Sequence, residues 1–316
     1  MDTLPAAVPH MESHVLQHLL EHRKGFPPGT CVSPLFVAVQ GPQGSGKTFL
    51  TNCIQKSIEA SSEGLKVVVL SIDDLYLPHE GLVSVAQANP DNRLLKGRGQ
   101  PGTHDVELGT RLLTRLKHIN DNNSKETTIE VPIFDKSQFN GEGDRLPHGT
   151  VVQGPIDIVL FEGWCVGFHP ITVDEINKRW ELPVPGLSAD FFKRKGFRKE
   201  DVLNVNDRLR SYVPWWSFFD LFIQIKPDEA HPYVHIYKWR LQQEHNMKAK
   251  NGGRGMADEQ VEAFIDRYIP GYVFFGDGIT YGELGEDGIR HPPPWIGKGL
   301  CIQIDENRDV INVSKF

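Results

Sequence analysis

Residues 41–48 read Gly-Pro-Gln-Gly-Ser-Gly-Lys-Thr, which matches the spacing G-x-x-x-x-G-K-[ST]. Few eight-residue stretches constrain a fold more. Glycines permit positive φ angles, so the backbone can curl until its N–H groups face inward around phosphate oxygens. The flanks supply the context such a loop needs. Leu35 to Val39 is a short apolar run, as expected of a buried parallel strand. Leu50, Ile54 and Ile58 then recur every four residues, the stripe of a helix packed on a sheet. Gly41, Pro42, Gln43, Gly44, Ser45, Gly46, Lys47 and Thr48 are therefore the expected nucleotide phosphate site, with Lys47 reaching the outer phosphates and the Thr48 hydroxyl placed for Mg²⁺.

Four further apolar runs read as strands: Lys66 to Ile72, Ile156 to Phe161, Phe219 to Ile225 and Leu300 to Asp305. With helices between them they predict an α/β fold of the P-loop NTPase type. Its sheet is expected to be doubly wound, mostly parallel and five-stranded, with helices on both faces and a helical lid. Ligands bind at the C-terminal ends of such strands. The second run ends in Asp73-Asp74 and the third in Glu162-Gly163-Trp164. Of the two aspartates one is expected to cap a turn and one, Asp73, to do chemistry. Glu162 occupies the position of an acid that holds Mg²⁺ downstream of a phosphate loop.

Residues 97–105 (Gly-Arg-Gly-Gln-Pro-Gly-Thr-His-Asp) have no helical or strand period. Arg98 and His104 suit an anionic group, although a connector loop would also carry them. Asp105 fits equally as the cap of a helix marked by Leu108, Leu112 and Leu116. Tyr233 to Lys250 and a second segment with Val261, Phe264, Ile265 and Tyr268 read as two helices around Gly252-Gly253-Arg254-Gly255, the second stopping at Pro270-Gly271. Such a pair can close over phosphates, with Arg240 or Arg254 meeting the transferring group; an ordinary helical hairpin has the same pattern. Residues 1–30 are expected to be a helical extension covering a sheet face, through Met11, Val15 and Leu19. Residues 31–316 are expected to be one domain with an insertion at 170–212 and the lid at about 233–272. A basic cluster at 193–199 reads as a solvated helix end.

Composition excludes several classes. A net charge of −7 argues against a nucleic-acid partner, while leaving room for a local basic pocket. No apolar run approaches a membrane span. Cys31, Cys53, Cys165 and Cys301 are scattered and form neither a zinc spacing nor a disulfide framework. With Asp2 and Glu12 near the start and no signal-peptide core, the expectation is a cytoplasmic protein in a reducing compartment, a nuclear location also being open.

A phosphoryl group leaving ATP must be positioned, neutralised and presented to an acceptor. Lys47, with Mg²⁺ on Thr48 and Glu162, would serve the leaving side, and Asp73 would take the proton of an acceptor hydroxyl. A GTPase switch fits poorly. Its N-K-x-D base reader is missing, since Asn177-Lys178 continues as Arg179-Trp180, and Glu162-Gly163 is not D-x-x-G. A regulatory nucleotide binder without phosphoryl transfer stays open at this point; acceptor-dependent ADP formation separates the two.

Ser71-Ile72-Asp73-Asp74-Leu75-Tyr76, residues 97–105, Phe134-Asp135-Lys136-Ser137 and Phe161-Glu162-Gly163-Trp164 together resemble plant-type D-glycerate 3-kinase and its fungal kinase relatives. More distantly they are similar to uridine kinase, phosphoribulokinase and pantothenate kinase. The resemblance spans about residues 35–305, and the loop at 97–105 is its most specific part. It implies an ATP- and Mg²⁺-dependent kinase with Asp73 as base. It also implies an acceptor pocket lined by Asp73, Tyr76, Arg98, His104, Asp105 and Lys136, with Arg145 a further candidate. Tyr237 to Arg240 and Arg267 to Tyr272 resemble the family's lid and following helix. Leu75 departs from the Phe that many members carry. D-glycerate is the leading acceptor, with a nucleoside or a pantothenate-like metabolite as alternatives.

Overall fold

The structure is a computed structural model and describes residues 4–60, 64–121, 128–250, 252–253, 255–285 and 287–316. Every residue of Leu35–Gln40 (β1) is buried, as a parallel strand covered on both faces must be. The further strands of the sheet are Val67–Ser71 (β2), Ile158–Gly163 (β3), Leu221–Pro227 (β4), Gly299–Ile304 (β5) and Val310–Lys315 (β6). Their order is β6-β5-β4-β1-β3-β2. The first five are mutually parallel and β6 runs antiparallel to β5. The sheet is thus mostly parallel, as expected, with six strands in place of five. The added strand is an edge strand with no fully buried residue, so it lacks the apolar run that marks the others.

Register explains how the two faces differ. Ala38 pairs with both Phe161 and Phe222, so these side chains share one face with Phe36. An aromatic layer covers them: Trp215 lies 6.2 Å from Phe161 and Trp295 lies 4.5 Å from Phe222, ring to ring. Val39 and Glu162 are paired and point the other way. On that side pack Ala7–Lys24 (α1) and Lys47–Glu59 (α2). Helix α1 crosses β1, β4 and β5, the covering role its apolar stripe predicts.

Two local readings are corrected. Pro270-Gly271 starts a helix, Ile269–Phe275 (α5), rather than stopping one, because proline at the first turn loses no hydrogen bond. It follows Val234–Lys250 (α3) and Asp258–Asp266 (α4). Residues 276–299 hold a short helix, Gly278–Tyr281, and a ribbon pairing Glu283–Leu284 with Arg290–His291. Strand β2 ends at Ser71, whose hydroxyl accepts the Asp73 N–H and turns Ile72–Leu75 into a 3-10 helix. The segments flanking Pro132 form two small ribbons, Thr128–Val131 with Thr150–Gln153 and Phe134–Asp135 with Asp144–Arg145. In the sequence, Ser61 to Gly64 and Asp121 to Glu126 read as turns; apart from Gly64 and Asp121 they lie outside the described residues.

Segment 170–212 packs against α4 and α5. Trp180 stacks on Phe192 at 5.1 Å, and Phe192 meets Phe274 of α5 at 5.4 Å. From the basic cluster, Lys195 pairs with Glu262 and Asp266 of α4 at 2.8 and 2.9 Å. Among the described residues no helix is long and apolar enough to cross a membrane.

Candidate active site

The loop between β1 and α2 adopts the curl its glycines allow. Gly44 and Gly46 have φ of +77° and +86°, and Gly46 stands just before the first turn of α2. The opening N–H groups of that helix have no carbonyl partner within it, which makes its N-terminus an anion site. No side chain caps it. Gly44 is required for a second reason. A Cβ there would lie 2.7 Å from the backbone nitrogen of Arg240 and the carbonyl carbon of Trp239. Helix α3 therefore rests directly on the phosphate loop.

Arg308, in the turn between β5 and β6, secures this contact. Its Nε donates to the Gly44 carbonyl at 2.7 Å, and its terminal nitrogens donate to Gln242 Oε1 at 2.8 Å and the Trp239 carbonyl at 3.1 Å. From α5, the Tyr272 hydroxyl donates to Gln43 Oε1 and accepts the Gln43 N–H.

Strands β2 and β3 are neighbours, with Ser71 paired to Glu162, so the acids that follow them stand at one edge. Glu162 is buried. Its Oε1 accepts the Thr48 hydroxyl at 2.9 Å, and its Oε2 has no hydrogen-bond partner among the described residues. A hydroxyl and a buried carboxylate with a spare oxygen form a hard, all-oxygen donor set, which fits Mg²⁺.

Asp73 and Asp74 have different partners. Asp74 Oδ1 accepts the Phe134 N–H at 3.1 Å and ties down the ribbon; burial pushes its carboxyl up. Asp73 accepts the Tyr76 hydroxyl at 2.9 Å on Oδ1 and the Lys136 ammonium at 2.5 Å on Oδ2. Burial alone would raise the Asp73 carboxyl. The charges of Lys136 and Lys47, with the Lys136 hydrogen bond, overcome that and hold it well below the usual carboxylate range. Lys136 is correspondingly raised, chiefly by the Asp73 charge. Lys47, Thr48, Glu162, Asp73, Tyr76 and Lys136 thus come together.

The other residues expected in the pocket are more structural. His104 is buried, stacks on the Tyr76 ring at 4.4 Å and meets the Tyr212 hydroxyl at 2.8 Å through Nδ1. Burial lowers it to about 4, so it is a neutral support under Tyr76 rather than a cation facing an acceptor. Asp105 caps its helix by accepting the Leu108 N–H at 2.9 Å, and its other oxygen pairs with Arg145 at 3.2 Å. Arg145 also donates to the Tyr76 carbonyl. The Arg98 guanidinium donates to the Gly141 and Glu142 carbonyls and lies over the Phe134 ring. Arg240 pairs with Glu244 at 2.7 Å and lies over Phe264, within the lid. Arg254 lies outside the described residues.

Trp164, Arg267, Tyr268 and Tyr272 were quoted only as parts of motifs, yet they join the two halves of the site. Trp164 Nε1 donates to the Gly99 carbonyl at 2.9 Å, and its ring meets Tyr268 at 4.7 Å and Tyr272 at 5.5 Å, edge to face. Burial pushes the Tyr268 hydroxyl up to about 12. Arg267 donates to the carbonyls of Leu94, Gly97 and Arg98. Arg308 was missed altogether. An arginine in a charged turn gives no sequence signal, since its partners, two backbone carbonyls and the Gln242 side chain, are remote in the chain.

No family model matches the chain. It is 38% identical over 279 residues to a Saccharomyces cerevisiae protein named "Probable ATP-dependent kinase TDA10", covering 88% of this chain and 87% of that one. It is 32% identical over 294 residues to the chloroplastic D-glycerate 3-kinase of Arabidopsis thaliana, covering 92% of this chain and 57% of that protein. Among solved structures, a D-glycerate 3-kinase from Cryptococcus neoformans var. grubii superimposes with a TM-score of 0.87 at 39% identity, over 99% of this chain and 100% of that one.

Proposed function

The chain belongs to the P-loop kinase family that includes these ATP-dependent and D-glycerate 3-kinases, and from that premise we propose that it moves the γ-phosphoryl group of Mg·ATP to a hydroxyl of a small anionic acceptor, D-glycerate first among them. It is a phosphotransferase with an alcohol group as acceptor. The observation that carries the finer reading is Asp73: a carboxylate kept ionised and fixed by two hydrogen bonds in the turn after β2, beside the phosphate loop.

The N–H groups of the loop and of the first turn of α2 would hold the phosphates of ATP, and Lys47 would neutralise charge on the outer ones. Thr48 and Glu162 would hold Mg²⁺, which supplies neutralisation of the phosphate oxygens. Asp73 would accept the hydrogen bond of the attacking hydroxyl and take its proton as the bond to phosphorus forms. A base held below the usual range suits this chemistry. Little proton transfer is needed early in a loose transition state, and an ionised carboxylate orients the oxygen throughout. Lys136, whose side chain is about half exposed beside Asp73, would give the acceptor's carboxylate a cation to meet. Closure of α3 and α4 would exclude water, so that ATP is not lost to hydrolysis.

An acceptor screen with Mg·ATP tests this. ADP formation that depends on D-glycerate, with one phosphorylated glycerate per ADP, is expected. Robust turnover of a nucleoside or a pantothenate-like acceptor with none of D-glycerate would overturn the substrate. Slow hydrolysis unchanged by every acceptor would overturn the transfer reading.

A further inference from the structure

Where β4 gives way to the lid, Asp228, His231 and His235 bring three ligand atoms within 4.8 Å of one another. Asp228 Oδ1 lies 3.1 Å from His231 Nδ1, and Oδ2 lies 2.7 Å from His235 Nε2. The two rings are 5.1 Å apart. We propose that these residues form a binding site for a late first-row divalent cation, Zn²⁺ foremost, at the root of helix α3.

Local folding places the three together. The Asp228 carboxylate accepts the His231 N–H at 2.9 Å, which closes a turn directly after the strand. His231 lies in that turn and His235 in the first turn of α3, and each ring meets one oxygen of the Asp228 carboxylate. The cluster has one buried member: His235 is largely enclosed, with its ring 5.9 Å from Trp239. His231 is exposed, which leaves an entry path.

Two imidazoles and one carboxylate select the ion. Imidazole favours Zn²⁺, Co²⁺, Ni²⁺ and Cu²⁺, whereas Mg²⁺ and Ca²⁺ prefer all-oxygen sets such as Thr48 with Glu162. Three protein ligands leave a fourth tetrahedral position for water. The separations between donor atoms need only small side-chain rotations to surround an ion at the usual bond lengths of about 2.0–2.2 Å. The site spans the end of β4 and the first turn of α3. One turn further along, the Trp239 backbone abuts Gly44. A bound ion would therefore stiffen the anchor of the helix that rests on the phosphate loop.

The test uses the full chain, stripped with a chelator and titrated with Co²⁺ as a spectroscopic probe and Zn²⁺ by calorimetry, without nucleotide. One equivalent of Zn²⁺ per chain is expected, with visible Co²⁺ bands that Zn²⁺ displaces. His231→Ala, an exposed substitution that leaves the interior untouched, is expected to weaken binding at least about tenfold, since even outer-sphere partners are worth that much. Asp228→Asn and His235→Ala should do the same. A wild-type chain that binds no Zn²⁺, or a His231→Ala protein that binds as the wild type does, would overturn the proposal.

Discussion

The ammonium of Lys136 stands 2.5 Å from Oδ2 of Asp73, while the Tyr76 hydroxyl holds Oδ1. Lys136 comes from the ribbon segment after Phe134 and Asp73 from the turn after β2, so the contact joins two parts of the chain that carry separate motifs. Replacing Lys136 with Met removes a charge and a hydrogen bond and leaves the effect of burial, so the Asp73 carboxyl rises. The acid limb of the kcat/KM–pH profile should then move to higher pH. An unmoved limb would show that Asp73 does not set it.

Glu162→Gln keeps an acceptor for Thr48 but removes the charge that the spare Oε2 carries. The Mg²⁺ concentration for half-maximal rate should rise at least about tenfold. A Mg²⁺ titration of initial rates checks this.

Gly44→Ala forces a side chain into a left-handed φ and against the backbone of α3. ATP affinity should fall at least tenfold as the loop or the helix shifts, which equilibrium nucleotide binding would measure. Gly46, whose Cβ direction is open, has φ of +86° yet should tolerate alanine better.

Arg308→Asn retains a residue that accepts positive φ, here +71°, while removing three hydrogen bonds to Gly44, Gln242 and Trp239. Stability should drop by about 2–3 kcal/mol, a fall in Tm of roughly 5 °C. The KM for ATP should rise as the loop and α3 loosen.

His14, His104 and His169 are each lowered to about 4 by burial. The unfolded chain therefore binds more protons than the folded one between about pH 6.5 and 4. Stability is present above that window and is lost as pH falls through it, by on the order of 3 kcal/mol per histidine. Thermal melts against pH should show the loss, and His14→Gln should flatten the slope.

The parallel sheet and the phosphate loop were legible because each rests on local pattern. A buried strand needs an apolar run, and a phosphate cradle needs glycines at fixed spacing. The placement of Asp73 and Glu162 at one sheet edge was legible because residues that end or follow neighbouring parallel strands gather there. The roles of His104 and Asp105 were not. A histidine in a Gly-rich loop looks available until Tyr76 and Tyr212 are seen to enclose it, and Asp105 was correctly allowed a capping role but also assigned to the pocket. Strand β6 escaped because an edge strand with one half-covered face has no apolar run. Arg308 escaped because its partners lie more than sixty residues away.

The most direct measurement is a comparison of ATP binding and acceptor-dependent turnover in Asp73→Asn and wild type. The amide can keep the Tyr76 hydrogen bond but cannot take a proton. ATP should bind as in wild type, and kcat should fall by about 10²–10⁴, the share a positioned base supplies. A variant with near-normal kcat would contradict the assignment of Asp73 as the base and, with it, the account of how this site transfers phosphate.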